Sequence, residues 1–418
     1  MLLKKNILYT NNKLKIINDP IYGFISIPHP FLFDLIEHPY FQRLRRISQM
    51  GLSSLVYPGA THTRFHHALG CMHMMQKAVQ VLRFKQVNIS EEEELALYIA
   101  ILLHDIGHGP FSHAMENSIV ENVHHEEISL AIMKFLNEEF NGKLSLAIEV
   151  FQGNYHRKFM LQLIASQLDM DRMDYLKRDS FYSGVAEGNI NSERLIQMIN
   201  VYDGQLVVEE KGVYSVEKFL VARRLMYWQC YLHKTGVVAE MILTKILKRA
   251  KELTQQGVDL WCSPALTFFL KNENSKEEFA SKTLKQFTQL DDSDVLGALK
   301  NWQHHEDIVL STLSSSIVNR KLFHIRNVQK HELDMQLNLL RSDFQRQNNC
   351  EESLLDYFIF SGKLKNQAYN KDTQPIRVLK KNGEVINILE ASDQLHLNAL
   401  SVLVTKYFIC YPKTLSKG

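Results

Sequence analysis

Histidine is concentrated in one stretch of this sequence, and no other feature constrains the fold as strongly. Nine of the 18 histidines lie between residues 62 and 125, a span of 64 in a chain of 418 residues. They are His62, His66, His67, His73, His104, His108, His113, His124 and His125. Imidazoles bind metal ions and exchange protons near neutral pH. A fold that gathers even some of these side chains builds a metal site or an acid–base site.

The sharpest local signal is His104 followed directly by Asp105, at the end of an apolar segment. Ser90 and Glu93 predict a capped helix start, and the nine apolar residues 95–103 follow them. Burying a carboxylate at the end of such a helix is costly unless the carboxylate is paired or bound to a cation. Taken alone, the pair also suits a solvated helix end. The surrounding histidines and a downstream acidic segment favour a metal.

Four segments carry the metal-binding and titratable side chains: residues 61–70, 103–113, 124–127 and 168–176. Imidazole nitrogen and carboxylate oxygen suit a divalent ion of borderline to hard character. With no thiolate in these segments, a structural zinc knot is disfavoured. The pattern predicts a hydrolytic metal centre.

Composition excludes several classes of protein. Apolar residues make up 45% of the chain and charged residues 22%, which is typical of folded globular proteins. Lys and Arg total 48 and Asp and Glu total 46, so the net charge is +2. This balance provides no strong nucleic-acid signal and no general attraction to anionic lipid, so an anionic ligand needs a local site.

The sequence predicts a cytoplasmic protein without a membrane segment. Its five cysteines are scattered, with no Cys-x-x-Cys pair, which favours a reducing compartment. The first residues carry Lys4 and Lys5 and lack the apolar core of a signal peptide. The apolar run 95–103 is about half as long as a membrane span.

Periodicity predicts a mainly α-helical fold with small β-hairpins. Residues 1–30 form a short strand-rich lead-in, and helical patterns dominate residues 31–200. Turn residues predict hairpins near 205–214 and 376–389, and the strand-like segment 402–411 could pair beside the second one.

The chain is expected to divide near residue 260, although no linker marks the boundary. A long helical segment covers about 216–256, and residues 265–350 are polar and helical without a chemical motif. We therefore expect a domain over 1–260, with its core at about 45–200, and a smaller α+β region over 261–418.

The order His, His-Asp, Asp resembles the signature of the HD-domain phosphohydrolases. Longer strings are similar to those of the deoxynucleoside triphosphate triphosphohydrolases, across about residues 15–240. These strings are NDPIYG (18–23), FQRLR (41–45), YPGA (57–60), RFHHALG (64–70), HDIGHGPFSH (104–113) and DY (174–175). The resemblance makes the first domain an HD phosphohydrolase domain with an all-helical core.

The resemblance implies that His67, His104, Asp105 and Asp171 ligate one divalent metal ion. It also implies that water attacks the α-phosphorus of a nucleotide substrate and that deoxynucleoside and intact triphosphate are released. The ion would lower the pKa of water and polarise a phosphoryl oxygen. The donor set accepts Fe, Mn, Mg, Ni or Zn, so the metal stays open.

By the same resemblance, His108, Glu116 and His125 are the acid–base residues. His125 would protonate the leaving 5′ oxygen. The family has Asp where this chain has Glu116, so that carboxylate reaches one methylene further. An ordinary solvated helix glutamate is an equal alternative for Glu116.

The resemblance also supplies substrate contacts. Arg64 matches a contact to the α-phosphate, which suits a permanently charged guanidinium that binds two oxygens. Asp171, Tyr175 and Asp179 share one helix face across about 12 Å, the length of a nucleotide. The resemblance places Arg172, Tyr175 and Asp179 against the triphosphate and sugar. For the neighbouring Asp174 and Arg178, a helix-surface salt bridge is the preferred interpretation.

Three further substrate contacts are implied. Arg223 matches a phosphate contact, Tyr231 a ring beneath the sugar that would exclude a 2′-hydroxyl, and Gln49 a contact to the 3′-hydroxyl. Without the resemblance, Tyr231 would belong to a core stripe. Leu232 replaces a polar family residue near the base, so base preference stays open.

A regulatory site is also suggested. Lys15, Asn18, Glu37, Gln42 and Arg45 match positions that bind an activating nucleotide between subunits, and we therefore expect at least a homodimer. The adjacent arginines at 43, 45 and 46 would otherwise form a solvated face or inter-subunit salt bridges.

Two other functions remain open from the sequence. The chain could act on another phosphate ester, such as a cyclic or signalling nucleotide, or it could be a regulatory nucleotide-binding protein with an inactive HD site. A binding module does not need His104 and Asp105, which argues against the second. The sequence contains no Walker A string and no Gly-x-Gly-x-x-Gly string.

Overall fold

The structure is a computed structural model that describes residues 15–111, 114–115, 118–119, 123–272, 282–393 and 397–417. The described chain is mainly α-helical, which confirms the predicted fold class. Its helices are Pro30–Glu37, Pro39–Gln42, Arg64–Phe84, Glu91–Leu103, His125–Glu139, Ser145–Phe151, Lys158–Ile164, Met170–Ser183, Ser192–Met198, Val213–Met226, Lys234–Gln255, Pro264–Lys271, Lys282–Phe287, Asp292–Trp302, Ile308–Val318, Leu333–Asn348, Leu355–Phe358, Ile388–Ala391 and Leu397–Leu400.

Side-chain caps define the helices that carry the site. The Ser90 hydroxyl accepts a hydrogen bond from the Glu93 amide at 3.1 Å, and the Glu93 carboxylate accepts one from the Ser90 amide at 2.9 Å. This is the predicted capping box, and its helix ends at Leu103, directly before His104. Asp169 caps the helix Met170–Ser183 by accepting from the Arg172 amide at 2.7 Å.

Nine short strands form three small sheets within the described residues. The strands are β1 Lys15–Asp19, β2 Gly23–Ile27, β3 Ile199–Tyr202, β4 Gln205–Glu209, β5 His324–Val328, β6 Phe360–Asn366, β7 Arg377–Leu379, β8 Val385–Asn387 and β9 Val404–Tyr411. β1 pairs with β2, while the other two sheets have the orders β3-β4-β7-β8 and β5-β9-β6. All neighbours are antiparallel except β4 and β7, which run parallel.

The strands correct three sequence expectations. The first hairpin turns at residues 203–204, so its strands begin before 205, and residues 210–214 are helical instead. β9 does not lie beside the second hairpin, because it pairs with β5 and β6. β5 itself interrupts the segment 265–350 that was expected to be helical. The pairings of β9 with β5 and β6 join segments far apart in sequence, which local patterns do not reveal.

Three helices form the centre of the core. Arg64–Phe84 packs against both Glu91–Leu103 and Met170–Ser183. Buried apolar side chains such as Leu69, Met72 and those of residues 99–103 fill the contacts. This packing fixes the relative positions of His67, His104 and Asp171, which lie near or directly after the ends of these three helices. No described helix combines the length and the apolar character that a membrane crossing requires.

Candidate metal centre and active site

The four predicted metal ligands meet in one small volume. His67 Nε2 lies 3.1 Å from Asp171 Oδ1 and 3.7 Å from Asp105 Oδ2. His104 Nε2 lies 3.6 Å from the same Asp171 oxygen and 3.5 Å from Asp105 Oδ1. His67, His104 and Asp105 are buried, and the Asp171 side chain is 25% exposed. The centre is therefore reached from the side of Asp171.

The second nitrogen of each imidazole is already hydrogen-bonded. His67 Nδ1 lies 2.8 Å from Asp174 Oδ2, and His104 Nδ1 lies 2.7 Å from the Ile101 carbonyl oxygen. Because a carbonyl or an ionised carboxylate only accepts, each Nδ1 carries a proton, so Nε2 is the nitrogen that each ring directs at the centre and could offer to a cation. The buried Nε2 of His104 has no hydrogen-bond partner among the described residues.

This donor set fits a divalent cation. Two imidazole rings and two carboxylates converge; burial lowers the pKa of both rings, but their neighbours outweigh burial and raise it, so the centre favours a positive charge. Burial disfavours the charged carboxylate of Asp171, but His104 and His67 outweigh burial and lower its pKa. The site thus provides ionised carboxylates, as metal binding requires.

A cysteine beside the centre was not anticipated. Cys71 Sγ lies 3.5 Å from both ring nitrogens of His67, one helical turn away. One potential ligand atom each from His67, Cys71, His104 and Asp171 lie within 4.8 Å of one another. Burial raises the pKa of the Cys71 thiol, which keeps it protonated and a poor metal ligand. Its spacing of four positions from His67 is the sequence signal that could have indicated this contact.

The turn 104–108 is fixed by backbone contacts. The Ser129 hydroxyl donates to the His104 carbonyl at 2.7 Å and accepts from the Gly107 amide at 2.9 Å. A Cβ atom on Gly107 would lie 2.3 Å from the His125 carbonyl oxygen, so only glycine allows this approach. The turn consequently brings Asp105 close to the start of the helix that carries His125.

The Asp105 carboxylate interacts with several basic side chains of the site. Burial raises its pKa, but His104, His108 and Arg64 outweigh burial and hold the pKa well below its usual range. Arg64 Nη1 donates to Asp105 Oδ2 at 2.6 Å, and His108 Nε2 lies 3.3 Å from Asp105 Oδ1. The predicted α-phosphate ligand Arg64 therefore lies directly against a predicted metal ligand.

Two of the three predicted acid–base residues are in contact. The rings of His108 and His125 stack with centroids 3.9 Å apart and planes 18° apart. Burial and Arg64 lower the pKa of His108 to about 3, so this ring is neutral. The His125 side chain is 23% exposed. Glu116, the third predicted residue, lies outside the described residues.

Arg172 and Arg223 are two further arginines that were predicted to contact phosphate. Arg172 forms an ion pair with Asp169, and its Nη1 lies 4.0 Å from Asp171 Oδ2. Arg223 Nη1 donates to Gln167 Oε1 at 3.4 Å. Each of these arginines keeps one buried nitrogen without a partner among the described residues.

Tyr175, Tyr231 and Asp179 also come together. Tyr231 donates to Asp179 Oδ2 at 2.7 Å, and its ring meets that of Tyr175 at a centroid distance of 6.0 Å. His62 Nε2 lies 2.7 Å from the other Asp179 oxygen, a contact that the sequence did not predict. The backbone of 227–231 forms a π-helical turn, a feature common at functional sites.

Gln49 joins the same region through the backbone, because its amide donates to the His62 carbonyl at 3.0 Å. Several predicted site residues here share one property: a buried polar atom without a hydrogen-bond partner among the described residues. These atoms are Gln49 Oε1, Arg64 Nε, His104 Nε2, Arg172 Nε and Arg223 Nε. Buried polar groups are normally paired, so each of these atoms is available to a polar ligand.

The predicted salt bridge between Asp174 and Arg178 forms but is not on the surface. Both side chains are fully buried, with Arg178 Nε 2.9 Å from Asp174 Oδ2, and Arg178 also binds Asp19 at 2.8 Å. A Cβ on Gly70 would lie 2.0 Å from Asp174, so glycine makes room for the pair. Asp174 orients His67, a role that the salt-bridge interpretation missed.

The arginines at 43, 45 and 46 do not form one surface. Arg43 is 1% exposed, and burial lowers its pKa to about 9, which leaves it charged at neutral pH. Arg46 forms an ion pair with Asp291 of the same chain, and Arg45 covers the Phe65 ring at 3.6 Å. A continuous solvated face is therefore wrong.

The residues suggested for an activating nucleotide lie at the surface or half-buried. Lys15 and Asn18 are exposed on β1, with Lys15 Nζ 4.4 Å from the Phe33 ring centroid, and Glu37 is exposed. Gln42 accepts from Arg45 Nε at 2.8 Å. These contacts leave the regulatory site a prediction.

Comparisons with known protein families match the part of the chain that carries the metal centre. The HD domain family matches residues 64–179, and the family described as HD associated region matches residues 190–282. A solved structure of a phosphohydrolase from Bacteroides thetaiotaomicron is 50% identical, with a TM-score of 0.91, and covers 96% of this chain and 100% of that one.

Two curated proteins show how far the likeness extends. The uncharacterized protein YwfO of Bacillus subtilis is 34% identical over 398 residues, which is 90% of this chain and 88% of YwfO. The human deoxynucleoside triphosphate triphosphohydrolase SAMHD1 is 30% identical over 283 residues, which is 57% of this chain and 45% of SAMHD1. The full-length likeness, the HD match and the converging histidines and aspartates agree. The chain belongs to the HD-domain family of metal-dependent phosphohydrolases.

Proposed function

We propose that this enzyme hydrolyses deoxynucleoside triphosphates at the α-phosphorus and releases deoxynucleoside and intact triphosphate. Gln49, Arg64, Arg172 and Arg223 each keep a buried polar atom without a hydrogen-bond partner among the described residues, and this observation carries the proposal. Guanidinium groups suit the oxygens of a polyphosphate. The partial likeness to SAMHD1, whose name states this activity, also supports it.

His67, His104, Asp105 and Asp171 would hold the divalent ion, which when bound supplies Lewis acidity at a phosphoryl oxygen and lowers the pKa of water. Arg64, already beside Asp105, would bind the α-phosphate and neutralise charge that develops there. Water oxygen then bonds to phosphorus while the bond from phosphorus to the 5′ oxygen breaks.

The leaving 5′ oxygen needs a proton, and His125 is the proposed donor. It stacks on His108, which is buried and neutral, and it begins the helix His125–Glu139 beside the turn that carries Asp105. Its partly exposed ring can recover a proton from solvent. The stacked pair would hold the donating nitrogen in one orientation.

The sugar is proposed to lie against Tyr175 and Tyr231. The hydrogen bond from Tyr231 to Asp179 fixes the phenol ring, and His62 holds the other Asp179 oxygen. A fixed ring beneath the sugar would exclude a 2′-hydroxyl by contact, which favours deoxyribose.

The test is to incubate the metal-loaded enzyme with each of the eight common nucleoside triphosphates and to separate the products by chromatography. We expect at least one deoxynucleotide to yield nucleoside and triphosphate in equal amounts, with no activity after chelation of metal. A chelated and then reloaded sample is the control. Release of orthophosphate or diphosphate, or no consumption of any nucleotide, would refute the proposed substrate while leaving the family assignment unchanged.

We also propose that the chain assembles at least as a homodimer through the hairpin β1–β2 and residues 41–46, and that a nucleotide binds there. Ile16 and Phe24 lie on one face of the hairpin and are 48% and 67% exposed, and Arg45 adds an exposed cation. Apolar surface next to a cation suits a partner subunit with a bound anion.

Sedimentation tests this assembly. We expect a dimer or larger species at micromolar concentration, and a shift to larger species when GTP or a deoxynucleotide is added, because a ligand stabilises the state that binds it. The variant Phe24→Ser should weaken association, while Phe84→Ser, which removes an 85% exposed ring elsewhere, should not. A monomer under all conditions would contradict both the dimer and the bridging nucleotide.

A further inference from the structure

Arg43 is a buried cation that neither the metal site nor the substrate contacts include. Its guanidinium donates three hydrogen bonds to backbone carbonyls. Nε binds the Leu290 oxygen at 2.7 Å, Nη1 the Ile106 oxygen at 3.2 Å and Nη2 the His108 oxygen at 2.6 Å. A charge held by carbonyl dipoles inside a protein is costly to bury. Such a group is retained where the groups that it holds must be placed accurately.

Two of these carbonyls belong to the turn that carries the chemistry. Ile106 and His108 flank Gly107, and Asp105 directly precedes them. Within the turn, His108 Nε2 lies 3.3 Å from Asp105 Oδ1. Ser129 holds one side of the turn through the His104 carbonyl and the Gly107 amide, and Arg43 holds the opposite end.

The third carbonyl ties the turn to a distant part of the chain. Leu290 lies just before the helix Asp292–Trp302, and two neighbouring contacts repeat the link. Arg46 forms an ion pair with Asp291, and the Ser48 amide donates to Asp292 Oδ2 at 2.8 Å. Residues 43–48 therefore contact residues 290–292 at three successive positions. The Arg43 guanidinium also binds the turn 104–108 and so links it to residue 290.

We propose that Arg43 is a positioning residue that fixes the turn 104–108 and so presents Asp105 and His108 to the reaction. It acts through the backbone and contacts neither the metal ligands nor the substrate by its side chain. The inference rests on the proposed metal centre. It gives Arg43 a role inside the protein, whereas the sequence suggested a solvated face or inter-subunit salt bridges for this residue. A planar fork of donors suits this site, because each carbonyl is bound by a different guanidinium nitrogen, whereas the three donors of an ammonium group share one nitrogen.

The experiment compares Arg43→Met, Arg43→Lys and a matched control, Arg83→Met. Arg83 also donates to a backbone carbonyl, from Nε and Nη2 to Ile89 at 3.1 and 2.9 Å, but at the far end of the helix Glu91–Leu103. For each full-length variant we would measure the thermal midpoint, Mn²⁺ affinity by calorimetry, kcat and KM on the best substrate, and hydrogen exchange of residues 104–108 without metal.

We expect Arg43→Met to weaken Mn²⁺ binding and to lower kcat by about 10- to 100-fold each, as loss of a supporting contact does, with little change in KM. Exchange of residues 104–108 should accelerate in that variant. Arg83→Met should change Mn²⁺ affinity and kcat by less than about twofold. Arg43→Lys should resemble Arg43→Met, because it keeps the charge but loses the fork.

Three results would overturn the inference: wild-type exchange with wild-type Mn²⁺ affinity in Arg43→Met, full recovery in Arg43→Lys, or equal losses in Arg83→Met. If Arg43→Met does not fold, Arg43→Lys alone decides, since recovery contradicts the role of the fork and failure at a normal thermal midpoint supports it. A wild-type enzyme inactive on every deoxynucleotide would refute the proposed substrate, yet the exchange and Mn²⁺ measurements would still test Arg43.

Discussion

Replacing Asp105 by Ala is expected to lower kcat by at least about 1,000-fold, because loss of a charged metal ligand removes several kcal/mol of transition-state stabilisation. The Asp105 carboxylate lies within 3.7 Å of side-chain nitrogens of four residues: Arg64, His67, His104 and His108. The substitution removes this carboxylate from all four. Metal content should fall together with activity. The measurements are kcat and bound metal per chain by elemental analysis.

Folding should survive this change, although with reduced stability. Arg64 is largely buried, and a buried charge left without its partner costs about 3 to 5 kcal/mol. A thermal midpoint several degrees lower is therefore expected at an unchanged helical circular dichroism signal. Asp105→Asn keeps the shape and separates lost charge from lost volume. Glu92→Ala removes an exposed carboxylate from the helix that precedes Asp105, and it should leave kcat unchanged. Full activity of Asp105→Ala without bound metal would contradict the proposed centre.

Local sequence signals located the start of the helix before His104, although its end at Leu103 comes before the glycines at 107 and 109 that were expected to end it. Ser90 and Glu93 marked the start of the helix before His104, and both hydrogen bonds of the capping box form. The spacing of Asp171, Tyr175 and Asp179 likewise placed three side chains on one helix. Caps and helical periodicity depend on residues three or four positions apart, so the sequence displays them directly.

Interactions between distant segments could not be read in this way. Nothing near Arg43 indicates that its partners are the carbonyls of Ile106, His108 and Leu290, up to 247 positions away. Three arginines within four positions suggested a solvated or anion-binding surface, and packing placed one of them inside. The pairing of β9 with β5 and β6 was missed for the same reason.

The supporting contacts around the metal ligands were also beyond the sequence. An Asp and an Arg four positions apart resemble a surface pair, but Asp174 lies against His67 because glycine at position 70 lets two helices approach closely. Burial converts a weak surface interaction into a contact that fixes an imidazole tautomer. The division near residue 260 stays a prediction, and the sequence left the metal open among Fe, Mn, Mg, Ni and Zn.

Replacing His125 by Ala is expected to lower kcat by about 100- to 10,000-fold, the usual contribution of a positioned general acid, while nucleotide still binds. The ring stacks on His108 at 3.9 Å and does not belong to the predicted ligand set, so metal content should be unchanged. Arg64 and the metal remain to hold the phosphates. The variant should therefore lose kcat with little change in KM or in the dissociation constant measured with a non-hydrolysable nucleotide.

The neighbouring His124 provides the matched control. It is exposed and precedes the same helix, so His124→Asn keeps a capping side chain and removes an imidazole one position from the site. That variant should retain kcat within about twofold, because His124 is exposed and lies outside the stacked pair of His108 and His125. A second check uses the leaving group, since a substrate whose 5′ leaving group needs no proton should be hydrolysed almost equally by wild type and His125→Ala. Weakened nucleotide binding with unchanged kcat at saturation would make His125 a binding residue and would remove it from the proton transfer.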